Sequence, residues 1–137
     1  MPSKCYLLLA LGIVAIGLVS CQPTSSSDAP ARSDGVTGDP KRGEELFRKR
    51  CSSCHSLDKE KEGPVLRGVF GRKSASVPNF KYSDAMRAAS IIWDGDSLDK
   101  WLTDTDRFIP DNDMNLAFKK ADERADIIAY LQQLSHQ

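Results

Sequence analysis

The chain has 137 residues, 19 basic and 19 acidic, with a formal net charge of +0. That balance supplies no basic field to attract nucleic acid, so no nucleic-acid partner is expected. The length leaves room for one small domain once processed or unfolded segments are set aside.

In chain order, residues 1–4 give a short positive start and residues 6–19 are almost unbroken Leu, Ile, Val, Ala and Gly. This fits the apolar core of a secretory signal and is short for a membrane span. Leu18, Val19, Ser20 and Cys21 close the segment and resemble the lipobox of bacterial lipoproteins, whose cysteine receives a diacylglycerol and becomes the mature N-terminus. Residues 1–20 are therefore expected to be a lipoprotein signal peptide, with Cys21 the lipidation site. The plainer alternative is ordinary secretory cleavage near Ser20, or an uncleaved anchor, with Cys21 incidental. Acylation is favoured because a lone thiol at an exported N-terminus invites stray disulfides. Several acyl chains also hold a protein on a membrane where one chain does so poorly. The expected location is bacterial and extracytoplasmic, on the periplasmic side of a membrane.

Residues 22–38 are rich in Ser, Pro, Thr, Asp, Gly and Ala, with Val36 the one sizeable apolar side chain. Such a segment cannot bury enough surface to fold. With Cys21 it reads as a lipidated flexible tether, residues 21–38, reaching on the order of 20 to 25 Å as a coil.

The folded domain is then 39–137. Asp39 and Pro40 suit the cap and first position of a helix that carries Leu46 and Phe47 and runs into residues 51–54. Across 55–80, Gly63, Pro64, Gly68, Gly71 and Pro78 punctuate a stretch without a period, which reads as irregular loop. Ser83 suits the cap of a short helix through Ala89, and Asp96 the cap of another carrying Leu98, Trp101 and Leu102. Pro110 opens a second loop that includes Met114. A last helix, about 122–135, has Ile127, Ile128, Tyr130, Leu131 and Leu134 at three-and-four spacing. No strand-like alternation and no repeat is evident, so the fold class is all-α. With nearly half its residues in loops, such a domain has a thin core unless a large apolar cofactor fills its centre.

Cys5 lies in the removed segment, which leaves Cys51 and Cys54 in the domain. A disulfide between them closes a tiny loop and adds little stability. Cys51-Ser52-Ser53-Cys54-His55 is instead the c-type haem attachment signature. Positions three apart share a helix face, so both sulfurs reach one porphyrin edge, and the next residue presents an imidazole to the iron. A zinc site needs four ligands, and outside this run only His136 and scattered carboxylates remain. A thioredoxin-like pair belongs in a βαβ setting that this sequence does not offer. Export agrees with haem attachment, which in bacteria occurs outside the cytoplasm. For the other axial position the candidates are Met86, Met114 and His136. Met86 sits among Ala85, Ala88 and Ala89 in a helical run, as core methionines do, and His136 lies at a terminus. Met114 follows the polar turn 110–113 and belongs to no helical stripe.

From residue 38 to the end the sequence resembles class I cytochromes c, of the mitochondrial type and its bacterial relatives. The resemblance implies N- and C-terminal helices packed together, with short helices and loops around one covalent haem c. Gly43 and Phe47 resemble the first-helix pair that packs on the last helix, here at Ile127 and Tyr130. Residues 63–72 are similar to the loop beneath the haem, which implies that the Pro64 carbonyl orients His55 and that Arg72 offsets propionate charge. Residues 78–85 match the next segment, which implies that Tyr82 bonds a propionate, and Trp93 falls at a propionate-bonding tryptophan. Residues 109–114 match the loop that delivers the axial methionine, so His55 and Met114 are the implied iron ligands. Trp101 stands where many relatives place a tyrosine near the methionine sulfur, and Met86 where a polar residue is usual. Asn112 and Asp113 replace a Thr-Lys pair, which leaves the front-propionate bond open and removes a lysine from the docking face.

The implied function is single-electron carriage by a monomer, not an enzyme, tethered to the membrane by its lipid anchor. Its implied partners are transient redox proteins, a donor complex and a terminal oxidase or reductase. A haem-relay subunit of a larger redox enzyme remains an alternative. So does a haem peroxidase or gas sensor, in which Met114 dissociates readily.

Overall fold

In a computed structural model the protein is described over residues 37–137. The expected signal segment, Cys21 and the expected tether through residue 36 lie outside the described residues.

Helix α1, Pro40–Arg50, starts where expected. The Asp39 side chain accepts from the Lys41 amide, and Pro40 occupies a first-turn position where a missing N–H is no loss. Arg48, Lys49 and Arg50 fill its last turn, where cations suit the helix dipole. Its buried residues are Gly43 and Phe47. They lie against α5, Ala121–Ser135, which buries Ile127, Ile128, Tyr130, Leu131 and Leu134. At the crossing the backbones nearly touch. A Cβ added at Gly43 would lie 2.0 Å from the Asp126 carbonyl oxygen and 2.8 Å from the Tyr130 Cβ. One turn on, the Phe47 and Tyr130 rings pack with centroids 5.7 Å apart. The expected pairing of the terminal helices is thus present.

Asp126 fastens the start of α1 to this crossing. Its buried carboxylate accepts from the Asp39 amide at 2.7 Å and from Arg42 Nε and Nη2 at 2.9 and 3.1 Å. Burial alone would raise its pKa, but the Arg42 and Asp39 hydrogen bonds and the Arg42 charge together hold it below the ordinary value of 3.8.

Between the terminal helices come α2, Asp84–Ala89, α3, Gly95–Thr103, and α4, Thr105–Phe108. Ser83 caps α2 through the Met86 amide as expected. Helix α3 differs from expectation, because Asp94 caps it and Asp96 lies in the first turn. Asp94 has Ser97 three residues on. The Asp94 carboxylate accepts from the Ser97 amide and Ser97 Oγ accepts from the Asp94 amide, each at 2.8 Å, a reciprocal capping box. Helix α3 buries Leu98, Trp101 and Leu102. Arg124 ties it to α5, donating to Asp99 at 2.7 Å and to the Phe118 carbonyl at 2.8 Å. Helix α4 is not foreshadowed in the sequence, since four residues carry no period. Among the described residues there is no strand, only an isolated bridge between Lys73 and Ile92.

The depressed Asp126 pKa gives a pH signature. Stabilisation from the ionised carboxylate is complete above the unfolded value of 3.8 and is lost as pH falls through the lower folded value. Asp126→Asn should therefore lower the thermal midpoint at pH 7, and the gap from the parent should close as pH drops below about 4. A gap independent of pH would contradict this role.

Candidate functional site

Helix α1 does not end abruptly. Cys51 N donates to Phe47 O at 2.9 Å and His55 N to Cys51 O at 2.8 Å, so a helical path continues one turn beyond Arg50. The cysteine pair thus lies in that following turn rather than inside the helix. Cys51 and Cys54 both border a cavity of about 300 Å³, a size within the range of cofactor sites. Burial pushes the Cys51 thiol up to about 11, with Arg50 opposing and Cys54 adding to the effect.

His55 is buried and its Nδ1 lies 2.9 Å from the Pro64 carbonyl oxygen. A carbonyl only accepts, so Nδ1 carries the proton and Nε2 keeps the lone pair that binds a metal. Burial lowers the His55 pKa, the Pro64 carbonyl opposes that, and Lys61 adds to it. The chain brings Pro64 back by pairing 56–57 with 66–67, Leu66 N donating to Ser56 O at 3.0 Å and Arg67 N to Leu57 O at 3.1 Å. Gly63 makes room for the ring, since a Cβ there would lie 2.2 Å from His55 Cε1. Sequence reading placed this glycine in the loop beneath the haem but gave it no contact of its own.

The lining also carries side chains with donor hydrogens to spare. Tyr82 Oη accepts from the Val77 amide at 3.3 Å, which leaves its hydrogen to donate. Half-buried Arg72 donates to Val65 O at 2.8 Å and Arg67 O at 3.1 Å, and among the described residues it meets no carboxylate. Burial lowers its pKa, with Tyr82 opposing. Trp93 and Trp101 are buried with ring centroids 5.6 Å apart. Both border the cavity, and neither indole N–H finds a partner among the described residues.

All nine residues that the sequence nominates within the domain border this one cavity. The donor set is two thiols, an imidazole nitrogen and a thioether, within apolar walls that include Leu98, Ile127 and Leu131. A guanidinium without a carboxylate partner, a phenol and the Trp93 indole N–H would meet an acidic periphery. This set fits a haem with its propionates. It does not fit zinc, because among the described residues no three His, Cys, Asp or Glu side chains are grouped to hold a metal ion.

The structure also sorts the axial candidates. Met114 and Met86 both border the cavity, whereas His136 is exposed and does not. Asn112 has both amide hydrogens engaged, by Asp106 Oδ1 at 3.0 Å and Ile109 O at 2.9 Å. It therefore has no donor left for a propionate.

Comparison with known proteins agrees with this geometry. Residues 40–135 match the family model described as cytochrome c. Cytochrome c of Euglena viridis is 43% identical over 100 residues, covering 71% of this chain and 98% of that protein. Cytochrome c type-1 of Ascaris suum is 41% identical over 99 residues, covering 70% and 88%. Among solved structures, cytochrome cH from Methylobacterium extorquens aligns with a TM-score of 0.67 at 34% identity, covering 70% of this chain and 99% of that one.

The contact at Gly63 predicts that Gly63→Ala displaces the His55 ring from Pro64. Stability of the haem-loaded protein should fall by roughly 1–3 kcal/mol, the usual penalty for overpacking, as read from chemical denaturation. An unchanged midpoint would show that the ring does not rest on this glycine.

Proposed function

The chain belongs to the cytochrome c family, and from that premise we propose that it carries single electrons with His55 and Met114 as axial ligands, on the extracytoplasmic side of a membrane. The family assignment makes it an electron carrier rather than an enzyme, with haem c bound covalently through Cys51 and Cys54. What most supports the finer reading is that one cavity gathers both cysteines, a His55 ring already oriented by Pro64, and Met114.

When bound, haem supplies a reversible one-electron iron couple. His55 would bind through Nε2, with Pro64 fixing the ring and raising its basicity. Met114 would supply the other iron ligand through its sulfur, which would leave no place for oxygen or peroxide and would favour the reduced state relative to a second histidine. Leu98, Trp101 and Leu102, all buried, keep water from the cavity. Arg72, Tyr82 and Trp93 would hold the propionates, Arg72 offsetting their charge. Cys54 is exposed, which sets one attachment point at the surface where a partner can approach. Asp106, Asp111 and Asp113 stand exposed around the Met114 loop, so a partner docking there meets negative charge. We infer transient docking to a donor complex and to a terminal oxidase or reductase, by a monomer. Cys21 would carry the lipid that holds it at the membrane, on the tether that follows.

Met114→Ala should abolish the weak sulfur-to-iron absorption band near the red end of the visible spectrum in the oxidised protein. Survival of the band would make Met86 or another group the ligand. Cys21→Ser should release the protein from membranes into the soluble fraction. Continued retention would defeat the lipid anchor.

A further inference from the structure

A methionine side chain has three rotatable bonds and enforces little geometry by itself. A Met114 ligand therefore depends on its backbone being held, and two side chains hold it. Asn112 Oδ1 accepts from the Met114 amide at 2.6 Å. The amide orientation of Asn112 is fixed by its partners, because its nitrogen faces a carboxylate and a carbonyl that can only accept. From the other side the Thr105 hydroxyl donates to the Met114 carbonyl, with the Leu116 carbonyl at 3.2 Å as a second acceptor. Thr105 Oγ1 in turn accepts from Leu116 N at 3.0 Å, and Thr105 N donates to Leu116 O at 3.1 Å. Thr105 is 0% exposed, so these bonds do not compete with water.

We propose that Thr105 and Asn112 are positioning residues for the axial ligand, fastening the Met114 backbone at its carbonyl and its amide and so setting how readily an outside ligand displaces its sulfur. This rests on Met114 being the ligand. It explains why α4 exists at all: a four-residue helix, capped by Asp104 through the Arg107 amide, brings Thr105 against 114–116. It also gives Asn112 a task within its own loop. Asp111, with φ 61°, makes the tight reversal that lets the Asn112 side chain fold back on Ile109 and Asp106.

The test is titration of the oxidised, haem-loaded protein with imidazole at neutral pH, following loss of the sulfur-to-iron band. Thr105→Val and Asn112→Ala should each lower the half-displacement concentration about tenfold, equivalent to about 1.4 kcal/mol. Thr105→Ser, which keeps the hydroxyl, should restore the parent's behaviour. Ile128→Val serves as the stability control, because Ile128 is 3% exposed but does not border the cavity. It should lower the thermal midpoint while leaving imidazole displacement within about twofold of the parent, as expected for an uncoupled site. Thr105→Val and Asn112→Ala variants that displace no more easily than Ile128→Val would overturn the proposal. Should Thr105→Val fail to load haem, Asn112→Ala, at a half-buried loop position, decides alone. Met114→Ala run in parallel separates the two claims. If it loses the band while the other variants behave as the parent, the clamp fails and the ligand stands; if it keeps the band, both fall.

Discussion

The close approach of α1 to α5 at Gly43 is the constraint on which the rest of the domain depends. With no side chain at that position, the first helix rests on the Asp126 carbonyl, and Phe47 reaches Tyr130 one turn later. That fixes where α1 ends, and so where Cys51, Cys54 and His55 emerge relative to Ile127 and Leu131 on the cavity wall. Asp126 and Arg124, two residues apart on α5, extend the same anchorage. One holds Asp39 and Arg42 at the start of α1; the other holds Asp99 on α3 and the Phe118 carbonyl. The last helix is thus the surface on which the chain's separate pieces are assembled.

From that frame the cavity inherits two chemically different parts. One gathers Arg72, which has no carboxylate partner among the described residues, with the Tyr82 hydroxyl and the Trp93 indole, suited to a group with an acidic edge. The rest of its lining includes Leu98, Leu102 and Met86, together with Met114, the proposed ligand. Apolar surroundings and a sulfur ligand act in the same direction on an iron couple. The segment from Ile109 to α5 has no regular structure of its own; it is held by burial of Ile109 and Phe118 in the core and by the bonds of Thr105 and Asn112 to the Met114 backbone.

Much of this was legible in the sequence where chemistry is local. Asp39-Pro40, Ser83 and the apolar stripe of α5 mark their helices through capping and periodicity, and the Cys51–His55 run declares its cofactor by spacing. Resemblance to a known family supplied the partners of that run, including Pro64, Tyr82 and Trp93. What escaped depends on contacts between distant or aperiodic residues. Asp94 rather than Asp96 caps α3 because Ser97 completes a reciprocal pair, a choice between two acidic residues that pattern alone ranks poorly. Gly63 looks like any loop glycine until the His55 ring is placed on it. Thr105 and Asn112 sit in polar stretches with no period, and their grip on Met114 exists only once the loop closes.

The central claim is that this chain fills both axial positions of its haem and so serves to carry electrons rather than to bind or transform a small molecule. Exposure of the reduced protein to carbon monoxide at neutral pH tests it most directly. The account predicts an absorption spectrum that stays unchanged on the timescale of mixing, because Met114 leaves no position open. Rapid and complete conversion to the carbon monoxide complex would contradict it and point to a sensor or peroxidase instead.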